Sequence, residues 1–102
     1  MYSVDASYRA EKDLDKIIEY ISQSLSAPQA ASDFADEVYS CYDRLEKNPY
    51  IYEECRDPGL KKEGYRRAVI NNYVMIYKIH ESTKTVDIHA FFYGRQDYVS
   101  LI

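Results

Sequence analysis

Apolar and polar positions alternate over Tyr2-Ser3-Val4-Asp5, a period of two that predicts a short first strand. Ser7 then offers an N-cap. Ala10, Leu14, Ile17, Ile18, Ile21 and Leu25 follow on one stripe of an amphipathic helix, and Glu11, Lys12, Asp15, Lys16 and Glu19 occupy its other face. Ser26-Ala27-Pro28-Gln29 predicts the start of a second helix. Ser26 at the N-cap and Gln29 three residues later make a capping box, and Pro28 gives up only an N–H that has no partner in a first turn. Ala31, Phe34, Ala35, Val38, Tyr42 and Leu45 form its stripe, which Asn48-Pro49 ends because the residue before proline is pushed out of the α region. With so short a link, the two helices fold back as an antiparallel hairpin.

Residues 49–64 form a connection of 16, a length that in a small domain marks a candidate for function. It holds the turn signal Asp57-Pro58-Gly59 and ends in Lys61-Lys62-Glu63-Gly64. Three strands follow. Tyr65–Ile70 joins Tyr73–His80 through Asn71-Asn72, a link that tolerates positive φ and predicts a tight hairpin. Tyr73-Val74-Met75-Ile76-Tyr77 is apolar on both faces, as a central strand covered on both sides requires. After the turn Glu81-Ser82-Thr83-Lys84, residues Thr85–Tyr93 alternate Val86, Ile88, Ala90 and Phe92 against Asp87, His89, Phe91 and Tyr93. The tail Gly94–Ile102 reads as a helical turn at the end of the sheet. The order β-α-α-β-β-β predicts an α+β fold, an antiparallel sheet with a helical hairpin packed on one face.

A chain of 102 residues accommodates one domain, taken as 1–102, with a modest core. Hydrophobic residues at 46% and charged residues at 29%, with three Gly and three Pro, exclude disordered and repetitive classes. No apolar run reaches the roughly 18 residues that a membrane helix needs, and the N-terminus has no basic-then-apolar leader. Two cysteines in such a chain are expected as reduced thiols in a cytoplasm. Charge divides unevenly: residues 1–55 carry five basic and twelve acidic side chains, whereas residues 56–102 carry eight basic and five acidic. That asymmetry predicts a polarised surface, an acidic helical half against a basic strand half. Twelve tyrosines and no tryptophan exceed what a small core absorbs, and tyrosine favours interfaces.

The chemistry visible in the sequence is sparse. Cys41 and Cys55 lack metal-ligand spacing, and the three scattered glycines make no phosphate loop, so neither a metal nor a cofactor is expected. No nucleophile elbow presents a serine or cysteine to a base. His80 and His89 fall on paired strands, where a solvent-facing histidine can act as a general base, although hydrogen-bonded spectators are commoner. Lys61, Lys62, Arg66, Arg67 and Arg95 remain as the candidate binding group. Arg66 and Arg67 are adjacent on a strand and leave opposite faces. An arginine flanked by Tyr73, Tyr77, Phe91 or Tyr93 is suited to gripping phosphates and bases. The plainer alternative pairs these bases with Glu63, Asp87 and Asp97 at the surface.

Several segments in order resemble one family over the whole chain: the first strand, Ala10-Glu11-Lys12-Asp13-Leu14-Asp15-Lys16-Ile17-Ile18-Glu19-Tyr20-Ile21, and the helix end Leu45-x-x-Asn48-Pro49. They continue through Gly64-Tyr65-Arg66-Arg67, Asn72–Ile79 and Tyr93-Gly94-Arg95-Gln96-Asp97-Tyr98. Together they resemble the RelE/ParE superfamily, toxins of bacterial type II toxin–antitoxin pairs, some associated with plasmid stabilisation. The resemblance implies a cognate antitoxin as partner, a cytoplasmic location and no membrane. RelE-like members cut messenger RNA on the ribosome with lysines, arginines and a C-terminal tyrosine; ParE-like members act on DNA gyrase. A nuclease would match Lys61, Lys62, Arg66 or Arg67, and Arg95, with Arg67, Arg95 and Tyr98 as its catalytic residues. Many nuclease tails read Arg-x-Asp-apolar-Tyr, but here Val99 holds the tyrosine position and Tyr98 the apolar one. One residue along a helical turn rotates a side chain by about 100°. That tail is closer to the ParE-like pattern, and a pI near 5.1 suits a protein target better than ribosomal RNA. The favoured expectation is a gyrase-directed toxin. A ribosome-dependent mRNA endoribonuclease, or a non-toxic relic that only binds an antitoxin, are the alternatives.

Overall fold

The computed structural model describes residues 1–102. Strand β1 (Ser3–Ala6) leads into helix α1 (Tyr8–Glu19), whose N-terminus is capped by Ser7: its Oγ accepts from the Ala10 N–H at 3.0 Å and donates to the His89 carbonyl at 2.9 Å. One residue therefore both starts the helix and ties it to the sheet. A π-type turn over Tyr20–Ser24 extends α1, closed by Leu25 N–H donating to Tyr20 O at 3.1 Å. Helix α2 (Pro28–Lys47) follows, with Ala31, Phe34, Val38 and Leu45 of the predicted stripe buried, Ala35 and Tyr42 half-buried, and Cys41 beside the stripe buried with the core. The capping box does not form. Ser26 takes a left-handed φ of 50° to close the preceding turn, so Ala27 is the N-cap and no side chain caps α2. Ending one helix and starting the next within three residues leaves Ser26 no free extended conformation for capping.

The long connection is structured throughout. Asn48 Oδ1 accepts from Tyr50 N–H at 3.1 Å and caps a 3-10 turn over Pro49–Ile51. Residues 53–55 then run along a strand edge: Cys55 N–H donates to Tyr65 O and Arg67 N–H donates to Glu53 O, both at 3.0 Å. Helix α3 (Pro58–Lys62), capped by Asp57, leads to Gly64, whose φ of 89° turns the chain into β2 (Tyr65–Ile70). Strands β3 (Tyr73–His80) and β4 (Thr85–Tyr93) complete the sheet, and the tail holds a 3-10 turn over Tyr98–Ser100.

The sheet order is β1-β4-β3-β2. β2, β3 and β4 pair antiparallel as expected, but β1 joins β4 parallel, so the sheet is mixed rather than wholly antiparallel. The path of the hairpin is the reason. Helix α2 returns the chain to the end of the sheet where β1 began, and there Tyr2 N–H donates to Glu46 O at 2.8 Å. β2 must then start from that same end, and β4, two antiparallel steps later, runs alongside β1. β4 also departs from strict alternation. A bulge places Ile76 opposite Ala90 but Tyr77 opposite Ile88 and leaves His89 unpaired. Val86, Ile88 and Phe91 consequently face the helices, while Ala90 and Phe92 face away.

Two apolar layers result. The larger joins the hairpin to one sheet face through Phe34, Val38, Leu45, Met75 and Tyr77. The smaller covers the other face with Cys55, Leu60, Val74, Ile76, Ala90 and Phe92, and Tyr98 and Ile102 of the tail pack against it. The central strand is thus covered on both sides. No helix is long and apolar enough to cross a membrane.

Candidate functional site

Position along β2 decides the roles of the two adjacent arginines. Arg66 pairs in register with Tyr77 and shares its helix-side face, where Nη1 donates to Tyr52 O at 2.7 Å and the guanidinium lies 5.0 Å over the Tyr50 ring. It is consumed in holding the 49–52 segment. Arg67 pairs with Ile76 on the opposite face, with its side chain only 14% exposed. Its Nη1 donates to Glu53 Oε1 at 2.7 Å, while Nε is buried without a hydrogen-bond partner. Arg67, followed by Arg56 at 3.3 Å, holds the Glu53 carboxyl below the usual carboxylate range.

Arg67 and Arg95 share a notch of about 220 Å³ at the end of the sheet, walled by Val69, Asn71, Asn72, Tyr73, Val74, Tyr93 and Gly94. Gly94 brings β4 and the β2–β3 turn together. Its N–H donates to Asn72 O at 2.7 Å, and a Cβ there would stand 3.1 Å from that oxygen. Asn71 makes the turn at φ 53°. Arg95 pairs with no carboxylate. The anticipated partners Glu63, Asp87 and Asp97 take no part: Glu53 pairs with Arg67, and Asp87 pairs with His80 at 2.7 Å.

The other predicted site residues lie elsewhere. Lys61 and Lys62 stand exposed on α3 and do not line the notch. Tyr98 stacks on Phe92, with ring centroids 5.7 Å apart and planes 22° apart, so its ring packs as an apolar group. His80 and His89 are not neighbours, because His80 pairs with Thr85 at the far end of the strand pair. His89 lies 5.3 Å from the Tyr65 ring, and burial, followed by Arg9 and Lys78, lowers its pKa. No group of three or more His, Cys, Asp or Glu side chains is placed to hold a metal.

A larger groove of about 830 Å³ adjoins the notch and shares Asn71, Asn72, Tyr73 and Tyr93 with it. Its apolar floor and walls come from Tyr20, Ile21, Leu25, Ala30 and Phe34, with Tyr20, Leu25 and Tyr93 exposed. Neither this groove nor the role of Glu53 is visible in the sequence pattern. The groove needs the π-type turn at the end of α1, and Glu53 lies fourteen residues from Arg67 with no periodic signal.

Residues 4–98 match the family described as the ParE toxin of type II toxin–antitoxin system, parDE. The chain belongs to the ParE toxin family. Two solved structures share the fold of this ParE-family chain. The chromosomal ParDE toxin–antitoxin system from P. aeruginosa superposes with TM-score 0.71 at 18% identity, covering 91% of this chain and 96% of that one. The RelBE2 toxin–antitoxin complex from Mycobacterium tuberculosis superposes with TM-score 0.64 at 22% identity, covering 90% and 96%. No protein of curated function matches the chain by sequence.

Proposed function

We propose that this ParE-family toxin arrests growth in the bacterial cytoplasm by inhibiting DNA gyrase, and that a cognate antitoxin neutralises it. The observation that carries the target is the placement of Tyr98. A nuclease of the superfamily would turn a tail tyrosine toward the phosphate held by its arginines, but this ring is stacked on Phe92 and does not line the Arg67–Arg95 notch. No histidine or carboxylate lines the notch either, and the Glu53 carboxylate beside it is held by Arg67. Two cations in one notch make a surface for an acidic protein segment, and the adjoining apolar groove, lined by Tyr73 and Tyr93, fits the same kind of partner. The antitoxin, on this reading, lays an amphipathic segment in the groove with acidic residues over Arg67 and Arg95. Co-purification with a small protein from the neighbouring reading frame tests that half of the proposal. Failure of every such protein to co-purify counts against it.

One observation favours the nuclease alternative: Arg67 and Arg95 do share a notch, as a phosphate clamp would require. The two targets separate cleanly in experiment. A gyrase toxin inhibits supercoiling by purified gyrase, induces DNA-damage signalling and leaves translated messages intact. A ribosome-dependent nuclease cuts messages, and Arg67→Ala or Arg95→Ala then removes about 2–4 kcal/mol of transition-state stabilisation. Tyr98→Phe keeps the stacked ring and removes only the hydroxyl. Toxicity survives this change on the gyrase reading, whereas ribosome-dependent cleavage that disappears in Tyr98→Phe would overturn it. A protein that binds antitoxin yet shows neither activity is the relic.

A further inference from the structure

Arg67 is only partly satisfied. A guanidinium has five N–H donors, and here Nη1 holds Glu53 Oε1 at 2.7 Å while Nε is buried without a hydrogen-bond partner. The backbone fixes the same pair, because Arg67 N–H donates to Glu53 O at 3.0 Å. Glu53 is itself half exposed, at 51%, and its carboxylate also reaches Arg56 at 3.3 Å. The notch beyond it contains what a phosphate binder uses, two arginines, of which Arg95 pairs with no carboxylate. What such a binder lacks is a fixed negative charge on one of its arginines.

We propose that Glu53 is a specificity-determining residue that closes the Arg67–Arg95 notch to the phosphates of a nucleic acid and leaves it open to a single protein carboxylate. This rests on the reading of the notch as a protein-binding surface. One carboxylate engages Arg95 and the Nη2 donors of Arg67, which are neither buried nor paired with Glu53, without displacing Glu53. A nucleic-acid strand carries a phosphate at every step, so its neighbouring phosphates bring further negative charge toward Glu53, where repulsion is strengthened by partial desolvation. Glu53 thus offsets an otherwise attractive RNA surface.

The test is fluorescence anisotropy with a labelled uridine-only RNA of about ten nucleotides, a length within the usual single-strand site size. Glu53→Gln should bind this RNA about tenfold more tightly than the wild type at near-physiological salt. Its salt dependence should steepen by about 0.7, the value for neutralising one more phosphate of a single strand. Glu53→Ser, which keeps the backbone hydrogen bond, should show the same gain if the glutamine variant fails to fold. Glu54→Gln makes the same change in net charge next door, where the carboxylate pairs with no cation, and should leave RNA affinity within about twofold. The double variant Glu53→Gln, Arg67→Ala should return to the wild-type affinity. Equal binding by folded Glu53 variants and wild type overturns the proposal, as does a gain reproduced by Glu54→Gln or retained without Arg67. Inhibition of gyrase supercoiling by the wild type is a separate readout: failure to inhibit removes the target and leaves the RNA result standing.

Discussion

Neighbours on one strand, Arg66 and Arg67 send their guanidinium groups to opposite faces of the sheet, and the pleat turns two identical side chains into two different devices. Arg66 commits its charge to Tyr52 O and the Tyr50 ring. Arg66→Ala is therefore a stability variant. Loss of one charge-assisted hydrogen bond and one cation–π contact should cost about 2–3 kcal/mol, and denaturant unfolding should show a lowered midpoint with unchanged slope. Tyr77 is a second such position: it is fully buried, and its hydroxyl donates to Pro49 O at 2.8 Å. Tyr77→Phe leaves that carbonyl unsatisfied and should cost about 1–3 kcal/mol by the same measurement. Adjacency made the opposed faces of Arg66 and Arg67 legible in the sequence. Which face held the notch was not, since that depends on where α3 and the tail lie.

Among the elements, the β3–β4 turn is tied to distant parts of the chain by one carboxylate. Glu81 Oε2 accepts from the hydroxyls of Tyr2 and Tyr50 at 2.8 and 2.6 Å, and Lys84 Nζ donates to Oε1. Lys84, then Tyr50 and Tyr2, pull the Glu81 carboxyl down to about 2. A depressed carboxylate pKa means that the folded state favours the charged form. Its contribution is complete above the ordinary carboxylate range and is lost as pH falls from there toward about 2. Unfolding followed across that acid window should show wild-type stability falling more steeply than that of Glu81→Gln. An identical slope in the two proteins would remove the role assigned to this carboxylate. The β4 bulge works at the same scale, because it turns Phe91 toward the hairpin and Phe92 toward the tail.

For the molecule as a whole, the groove between the hairpin end and the sheet is the largest feature left open. It is lined by the same Phe34 and Tyr73 rings that pack 5.2 Å apart at the edge of the core, so a partner seated there continues the core outward. Binding to the folded state alone raises apparent stability by mass action. With antitoxin at about 100 times its Kd, thermal unfolding should reflect roughly 2.7 kcal/mol of added stability. Leu25→Glu, at an exposed groove position, should abolish that shift and leave the free protein's own melting nearly unchanged. A shift of the same size in the variant would place the partner elsewhere.

The sequence by itself determined the two helices, the three long strands and their order, because apolar periodicities of 3.6 and 2 are local and every core position on α2 obeys one of them. It also carried the family, whose motifs are spread along the chain in fixed order. Tertiary structure alone decided the parallel edge of β1 against β4 and the switch of faces at His89. It also brought Arg67 and Arg95 into one notch, with Glu53 paired to Arg67. Each of these depends on contacts between segments far apart in the chain. A pairing partner, a bulge or a neutralising carboxylate is selected by what the packed elements bring within a few ångströms, and short-range patterning does not encode that distance.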